Sequence, residues 1–233
     1  MATRTIVMRQ LILDLLPETQ PRLDNFVAGG NCEALTGLAA WFSPDSSETS
    51  LFLWGESSSG KTHLLRACEA YYSDAASTPD LSNIAHGLDA GQDDTRSIYA
   101  VDNVQALNEA GQIILFNLFN RLAASGRRLI TAASQPPLKL ALREDLRTRL
   151  GSGLIYRLQV LSDDEKIAAL SAQASARGLC LPPEAFGYLL ARAPRDMSSL
   201  MAYLVALDRY SLENKRTITL ALMRELLAHR KSP

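Results

Sequence analysis

Eight consecutive residues, Gly55-Glu56-Ser57-Ser58-Ser59-Gly60-Lys61-Thr62, hold the most specific chemistry in the chain. The spacing G-x-x-x-x-G-K-T suits a loop whose backbone N–H groups converge on a polyphosphate. Glycines let the backbone curl, and the helical turn that follows adds the positive end of its peptide dipoles. Lys61 is placed to neutralise outer-phosphate charge, and the Thr62 hydroxyl to ligate Mg2+. Gly55, Ser57, Ser58, Ser59, Gly60, Lys61 and Thr62 are therefore the candidate binders of ATP or ADP. A chance Gly/Ser turn would lack the flanks found here, apolar Leu51-Phe52-Leu53-Trp54 before and a helical pattern from Lys61 onward.

A second centre is acidic. Ile98-Tyr99-Ala100-Val101-Asp102-Asn103 reads as a strand ending in a carboxylate, and Asp102 is the candidate to hold Mg2+ through water. Activating an attacking water calls for a second carboxylate directly after it. Asn103 stands there, and an amide cannot accept that proton, which predicts slow intrinsic hydrolysis.

Both centres need a scaffold. Short apolar runs alternating with helical patterns predict βαβ units and a parallel sheet. Ser50–Trp54, Ser97–Val101, Arg128–Ala133 and Leu154–Val160 read as strands; Glu33–Phe42, Lys61–Tyr72 and Asn108–Ala124 read as helices. Residues 73–96 are rich in Ser, Asp, Ala and Gly and yield no strand. After Leu161 the pattern turns helical. Ser162-Asp163-Asp164-Glu165 has the form of a capping box, starting a helix that ends near Gly178. Glu184–Arg192, Met197–Asn214 and Leu220–His229 complete four helices. The domain organisation expected is a tail over 1–20, an α/β domain over 21–160 and a helical unit over 161–233.

Bulk properties narrow the function classes. The chain has 233 residues, 47% hydrophobic and 21% charged, with a formal charge of -1. That balance gives no broad electrostatic drive toward nucleic acid. Cys32, Cys68 and Cys180 lack metal-ligand spacing and read as buried free thiols in a reducing compartment. Residues 1–9 lack a signal-peptide core and no stretch is long enough to cross a bilayer, so a soluble cytoplasmic protein with no membrane partner is expected.

A further run, Leu146-Arg147-Thr148-Arg149-Leu150-Gly151-Ser152-Gly153, precedes Ile155-Tyr156-Arg157-Leu158 and Leu161-Ser162-Asp163-Asp164-Glu165-Lys166. With Asp24-Asn25-Phe26-Val27, the phosphate loop, Asp102-Asn103 and Pro136-Pro137, this order resembles the DnaA family of AAA+ proteins. Within it, the closer resemblance is to the Hda regulators of replication initiation. Three features favour Hda: the sequence ends after the helical unit, Asn103 follows Asp102, and Gln10-Leu11-Ile12-Leu13-Asp14-Leu15 resembles a Q-L-x-L-x-L sliding-clamp peptide. An N-terminal strand packed on its own domain is the other reading of that segment.

The resemblance implies a three-layer α/β/α AAA+ domain with a mainly parallel sheet and a C-terminal helical lid. It implies an adaptor tethered by Gln10, Leu11, Leu13 and Leu15 to the DNA polymerase III β clamp. Its contact with DNA would run through the clamp, making it nucleoid-associated, with homo-oligomerisation left open. Arg149 would be an arginine finger that enters the ATP site of DnaA and drives hydrolysis there, preventing re-initiation; a surface arginine at the start of a strand, paired to Glu144 or Asp145, is the plainer reading. Arg143 and Arg147 would support that interface. Ser134, at the end of a strand, is the candidate γ-phosphate sensor, with Thr131 in reserve and a polar strand cap the alternative. Lid alignment on Asp196-Met197 puts Ser198 where the family has a sensing arginine, with Arg195 a partial substitute, and an ADP-bound resting state follows from that departure. A self-contained AAA+ ATPase of helicase-loader or initiator type is the competing reading.

Overall fold

The computed structural model describes residues 20–89, 98–214, 218–220, 223 and 224. It divides into two compact units, Pro21–Val160 and a second that takes the chain from Leu161 onward.

The first unit is built on five strands: β1 (Ser50–Trp54), β2 (Tyr71–Asp74), β3 (Ile98–Asp102), β4 (Arg128–Ala133) and β5 (Leu154–Arg157). Their order is β2-β3-β4-β1-β5, and each neighbouring pair is parallel. Parallel strands covered on both faces read as near-continuous apolar runs, as β1, β3 and β4 do. Within the runs, successive side chains still alternate between faces. Phe52, Tyr99, Val101, Leu129 and Ala133 enter one core with helix α4 (Glu109–Ala124) and helix α5 (Glu144–Leu150). Leu51, Leu53, Ala100, Ile130 and Ala132 enter the other, with α1 (Cys32–Phe42) and α2 (Lys61–Ala67). The result is the expected three-layer α/β/α arrangement. Each fully buried Leu or Phe in it contributes about 1.5–3 kcal/mol.

Three sequence expectations are corrected here. The helix expected over Lys61–Tyr72 stops at Ala67, because Glu69 takes a left-handed φ of 52°. Tyr71–Asp74 then runs as β2, the strand that polar composition concealed, and residues 82–89 form α3. Pairing to β3 carries β2: Tyr71 lies opposite Tyr99, with ring centroids 5.6 Å apart, and Asp74 lies opposite Asp102. The last strand ends at Arg157 rather than Val160.

The second unit contains α6 (Asp163–Ala176), α7 (Glu184–Arg192) and α8 (Met197–Asn214) around Leu170, Leu189, Leu200 and Leu204. Ser162 and Glu165 form the expected capping box: Glu165 N–H donates to Ser162 Oγ at 3.2 Å, and Ser162 N–H to Glu165 Oε2 at 2.7 Å. Of the fourth helix expected from Leu220, only residues 220, 223 and 224 are described, and Met223 is buried in the same core.

Candidate functional site

Because all five strands are parallel, the residues that leave their C-terminal ends gather on one edge of the sheet. The loop after β1 begins there, with Gly55 N–H donating to Ala133 O at 3.3 Å and Leu158 N–H to Trp54 O at 2.7 Å. A Cβ on Gly55 would meet Leu158 O at 2.2 Å. Ser58 and Gly60 take left-handed φ values of 64° and 96°, and a Cβ on Gly60 would lie 2.6 Å from the Phe26 ring. Phe26 also stacks at a tilt on His63, centroids 5.5 Å apart, so the segment before α1 braces the loop from outside.

Lys61 folds back over the curl. Its Nζ donates to Gly55 O at 2.8 Å, Glu56 O at 2.7 Å and Ser59 Oγ at 3.4 Å. Burial lowers the Lys61 pKa from its ordinary value, and the charge of Asp102 opposes that shift. An ammonium held at the mouth of a loop with no room for glycine side chains fits a polyphosphate.

Asp102 is fully buried at the end of β3. Its Oδ2 accepts from Thr62 Oγ1 at 2.6 Å and from the Tyr72 hydroxyl at 3.1 Å, and its Oδ1 from Asn103 N–H at 2.8 Å. Thr62 and Asp102, the two residues expected to serve Mg2+, are thus brought together although forty positions separate them. A buried hydroxyl–carboxylate pair fits a hard cation with oxygen ligands. Tyr72 was absent from the sequence reading. Burial pushes its phenol up to about 12, with the Asp102 charge adding to the effect, so it donates throughout the physiological range.

Asn103 sits beside Asp102 with a left-handed φ of 53°. Its Nδ2 donates to Asp74 Oδ1 at 2.9 Å and its Oδ1 accepts from Gln105 Nε2 at 3.3 Å. Ser134 is exposed directly after β4, and its backbone N–H donates to Gln105 Oε1 at 3.3 Å. Thr131, the reserve candidate, is buried in mid-strand opposite Phe52 and Val101. Asp74 and Gln105 also escaped the sequence reading. The clue available was the position of Asp74 at the end of a strand that itself went unread.

Arg149, which the plainer reading put at the start of a strand, lies in the last turn of α5. It is exposed, with its guanidinium carbon 5.9 Å from the Phe119 ring centroid, and among the described residues it has no carboxylate partner. Asp145 is taken instead by Arg143, at 2.7 Å, while Arg147 Nε is buried without a hydrogen-bond partner among the described residues. In the lid, Arg195 donates to Asp163 Oδ2 at 2.7 Å, and Ser198 is exposed in the first turn of α8. Gln10, Leu11, Leu13 and Leu15 lie outside the described residues. Cysteine is corrected too: only Cys68 is buried, and Cys32 and Cys180 are exposed. No helix among the described residues is long and apolar enough to cross a membrane.

Residues 163–227 match the family described as the Hda lid domain. An uncharacterised protein of Haemophilus influenzae is 32% identical over 237 residues, covering 94% of this chain and 98% of that one. Domain III of the Thermotoga maritima replication initiation protein DnaA superposes with a TM-score of 0.71 at 21% identity, over 92% of this chain and 98% of that chain. AMPPCP-bound DnaA from Aquifex aeolicus superposes with a TM-score of 0.62 at 22% identity, over 84% and 70%. Likeness at these identities shows the shared fold.

Proposed function

We infer the role of this chain from the family to which it belongs, the Hda-like, DnaA-related AAA+ proteins, together with the geometry of its loop edge. It is an adaptor in the control of replication initiation that binds an adenine nucleotide and promotes ATP hydrolysis on DnaA. The observation that carries this reading is a complete phosphate cradle beside a position that holds an amide where a hydrolase needs a base.

Loop amides of residues 55–62 would hold the phosphates, with Lys61 against their charge. Thr62 and Asp102 would hold Mg2+, which when bound screens charge on the β- and γ-phosphates. Tyr72 keeps the Asp102 carboxylate oriented. Binding without turnover lets the nucleotide serve as a structural ligand, and the DnaA neighbour named as AMPPCP-bound supports an adenine nucleotide. Ser134, at the end of β4, would be the γ-phosphate contact.

Arg149 is the hydrolytic group offered to the partner. An exposed guanidinium that has no carboxylate partner among the described residues and rests only against the Phe119 ring would be available to enter a neighbouring ATP site and stabilise γ-phosphate charge. Gln10, Leu11, Leu13 and Leu15 would tether the adaptor to the DNA-loaded β clamp, which raises its effective concentration near DnaA.

The test is hydrolysis of ATP pre-bound to DnaA, with DNA-loaded clamp, this protein and its Arg149→Ala form. Clamp-dependent hydrolysis that falls about 10³-fold or more in the variant is expected for loss of an arginine finger. Equal rates for the two forms, or none for either, would refute the mechanism. Substantial ATP turnover by this chain alone would instead favour the self-contained ATPase.

A further inference from the structure

One set of polar contacts at the loop edge involves neither the phosphate loop nor the Thr62–Asp102 pair. Ser134 N–H donates to Gln105 Oε1, Gln105 Nε2 donates to Asn103 Oδ1, and Asn103 Nδ2 donates to Asp74 Oδ1. The chain of bonds crosses the ends of β4, β3 and β2 in their spatial order. Its polarity is determined from both ends. A backbone N–H can only donate and an ionised carboxylate can only accept, so each amide between them has one permitted orientation. Asp74 is itself anchored, its Oδ1 accepting from Ala76 N–H at 2.9 Å and its Oδ2 from Ser77 Oγ at 3.4 Å. Register places Asp74 directly opposite Asp102, so the carboxylate missing from position 103 stands one strand away.

We propose that Asp74 is a positioning residue: it latches the Asn103 amide and, through Gln105, the Ser134 N–H, so that the site retains nucleotide without turning it over. The inference rests on reading residues 55–62 and Asp102 as a nucleotide site. It goes beyond the missing base, because it states why restoring one acid does not restore hydrolysis. An acid introduced by Asn103→Asp still accepts from Gln105 but confronts the Asp74 carboxylate across a contact that was a 2.9 Å hydrogen bond. Exchanging the two, Asp74→Asn with Asn103→Asp, restores a donor–acceptor pair across that contact and returns a carboxylate to the strand that carries Asp102, while the amide nitrogen at position 74 replaces the oxygen that accepts from Ala76 N–H.

The experiment is single-turnover ATP hydrolysis by the full chain without DnaA, with fluorescent ADP affinity measured on each form. The parent and Asn103→Asp are expected to hydrolyse slowly. The exchanged pair should run at least about tenfold faster than the parent, since a positioned general base is worth about 10²–10⁴-fold. Equal rates for the single and exchanged forms would overturn the latch, as would an exchanged form that binds ADP like the parent and remains as slow.

A second readout needs no active variant. In Asp74→Ala the Ser134 amide should exchange hydrogen at least about tenfold faster than in the parent, because the chain of bonds loses its acceptor end. Unchanged exchange would also overturn the latch. A parent that binds no ADP refutes the nucleotide site beneath it, whereas the DnaA assay above tests Arg149 independently of both.

Discussion

Replacing Gly60 by alanine puts a Cβ where both the backbone and a neighbour object. Gly60 has a φ of 96°, outside the range that L side chains readily adopt, and holding alanine there costs about 1–3 kcal/mol. The new Cβ would lie 2.6 Å from Phe26 Cε2 and 3.1 Å from Cζ, an overpacking of the kind that costs about 1–3 kcal/mol. Taken together, the expected loss is about 3 kcal/mol, or about 6–12 °C in melting temperature for a domain of this size. Nucleotide affinity should fall at least about tenfold as well, because Gly60 sits where the loop amides converge on phosphate. Calorimetry and a fluorescent-ADP titration measure the two effects. Phe26→Leu in the Gly60→Ala background removes the outer ring atoms and should recover the steric part alone, leaving the dihedral cost. Complete recovery would show that φ at position 60 is not strained. A Gly60→Ala protein that melts and binds like the parent would refute the account of the loop.

Two further outcomes are expected. Asp102→Ala removes the acceptor shared by Thr62 and Tyr72; titrations with and without Mg2+ should show the metal-dependent part of nucleotide affinity lost and the metal-free part retained, and an unchanged Mg2+ dependence would remove Asp102 from the cation site. Burial pushes the Cys68 thiol up to about 12, so almost none of it is thiolate at pH 8, the form that reacts. A disulfide reagent should therefore label Cys32 and Cys180 in the folded protein and reach Cys68 only after unfolding; three fast thiols would contradict the packing around Cys68.

The α/β/α fold and the curl of the loop over residues 55–62 were legible because both depend on information contiguous in the chain. The run 55–62 prescribes its own curl through glycine and its own charge through Lys61, with the strand and helix that hold it encoded immediately on either side. The Ser162–Glu165 capping box was legible for the same reason, as four consecutive residues span it. Missing a base next to Asp102 was equally plain, since Asn103 is adjacent.

Beyond that reach the outcome belonged to the tertiary structure. Tyr71–Asp74 straddles the end of the expected helix and the start of the polar stretch, and becomes a strand because β3 offers it a parallel partner and a ring for Tyr71. That pairing sets Asp74 beside Asp102 and Asn103, so no inspection of residues near position 103 could find the acceptor of its amide. Gln105 meets Ser134 only because β3 and β4 end on the same edge, and Arg149 lies in a helix because α5 packs Leu146 and Leu150 into the core before β5 begins. Local backbone preference and side-chain type thus determined what the loop is. Strand order and register, which depend on burying both faces of one sheet, decided which distant side chains surround it.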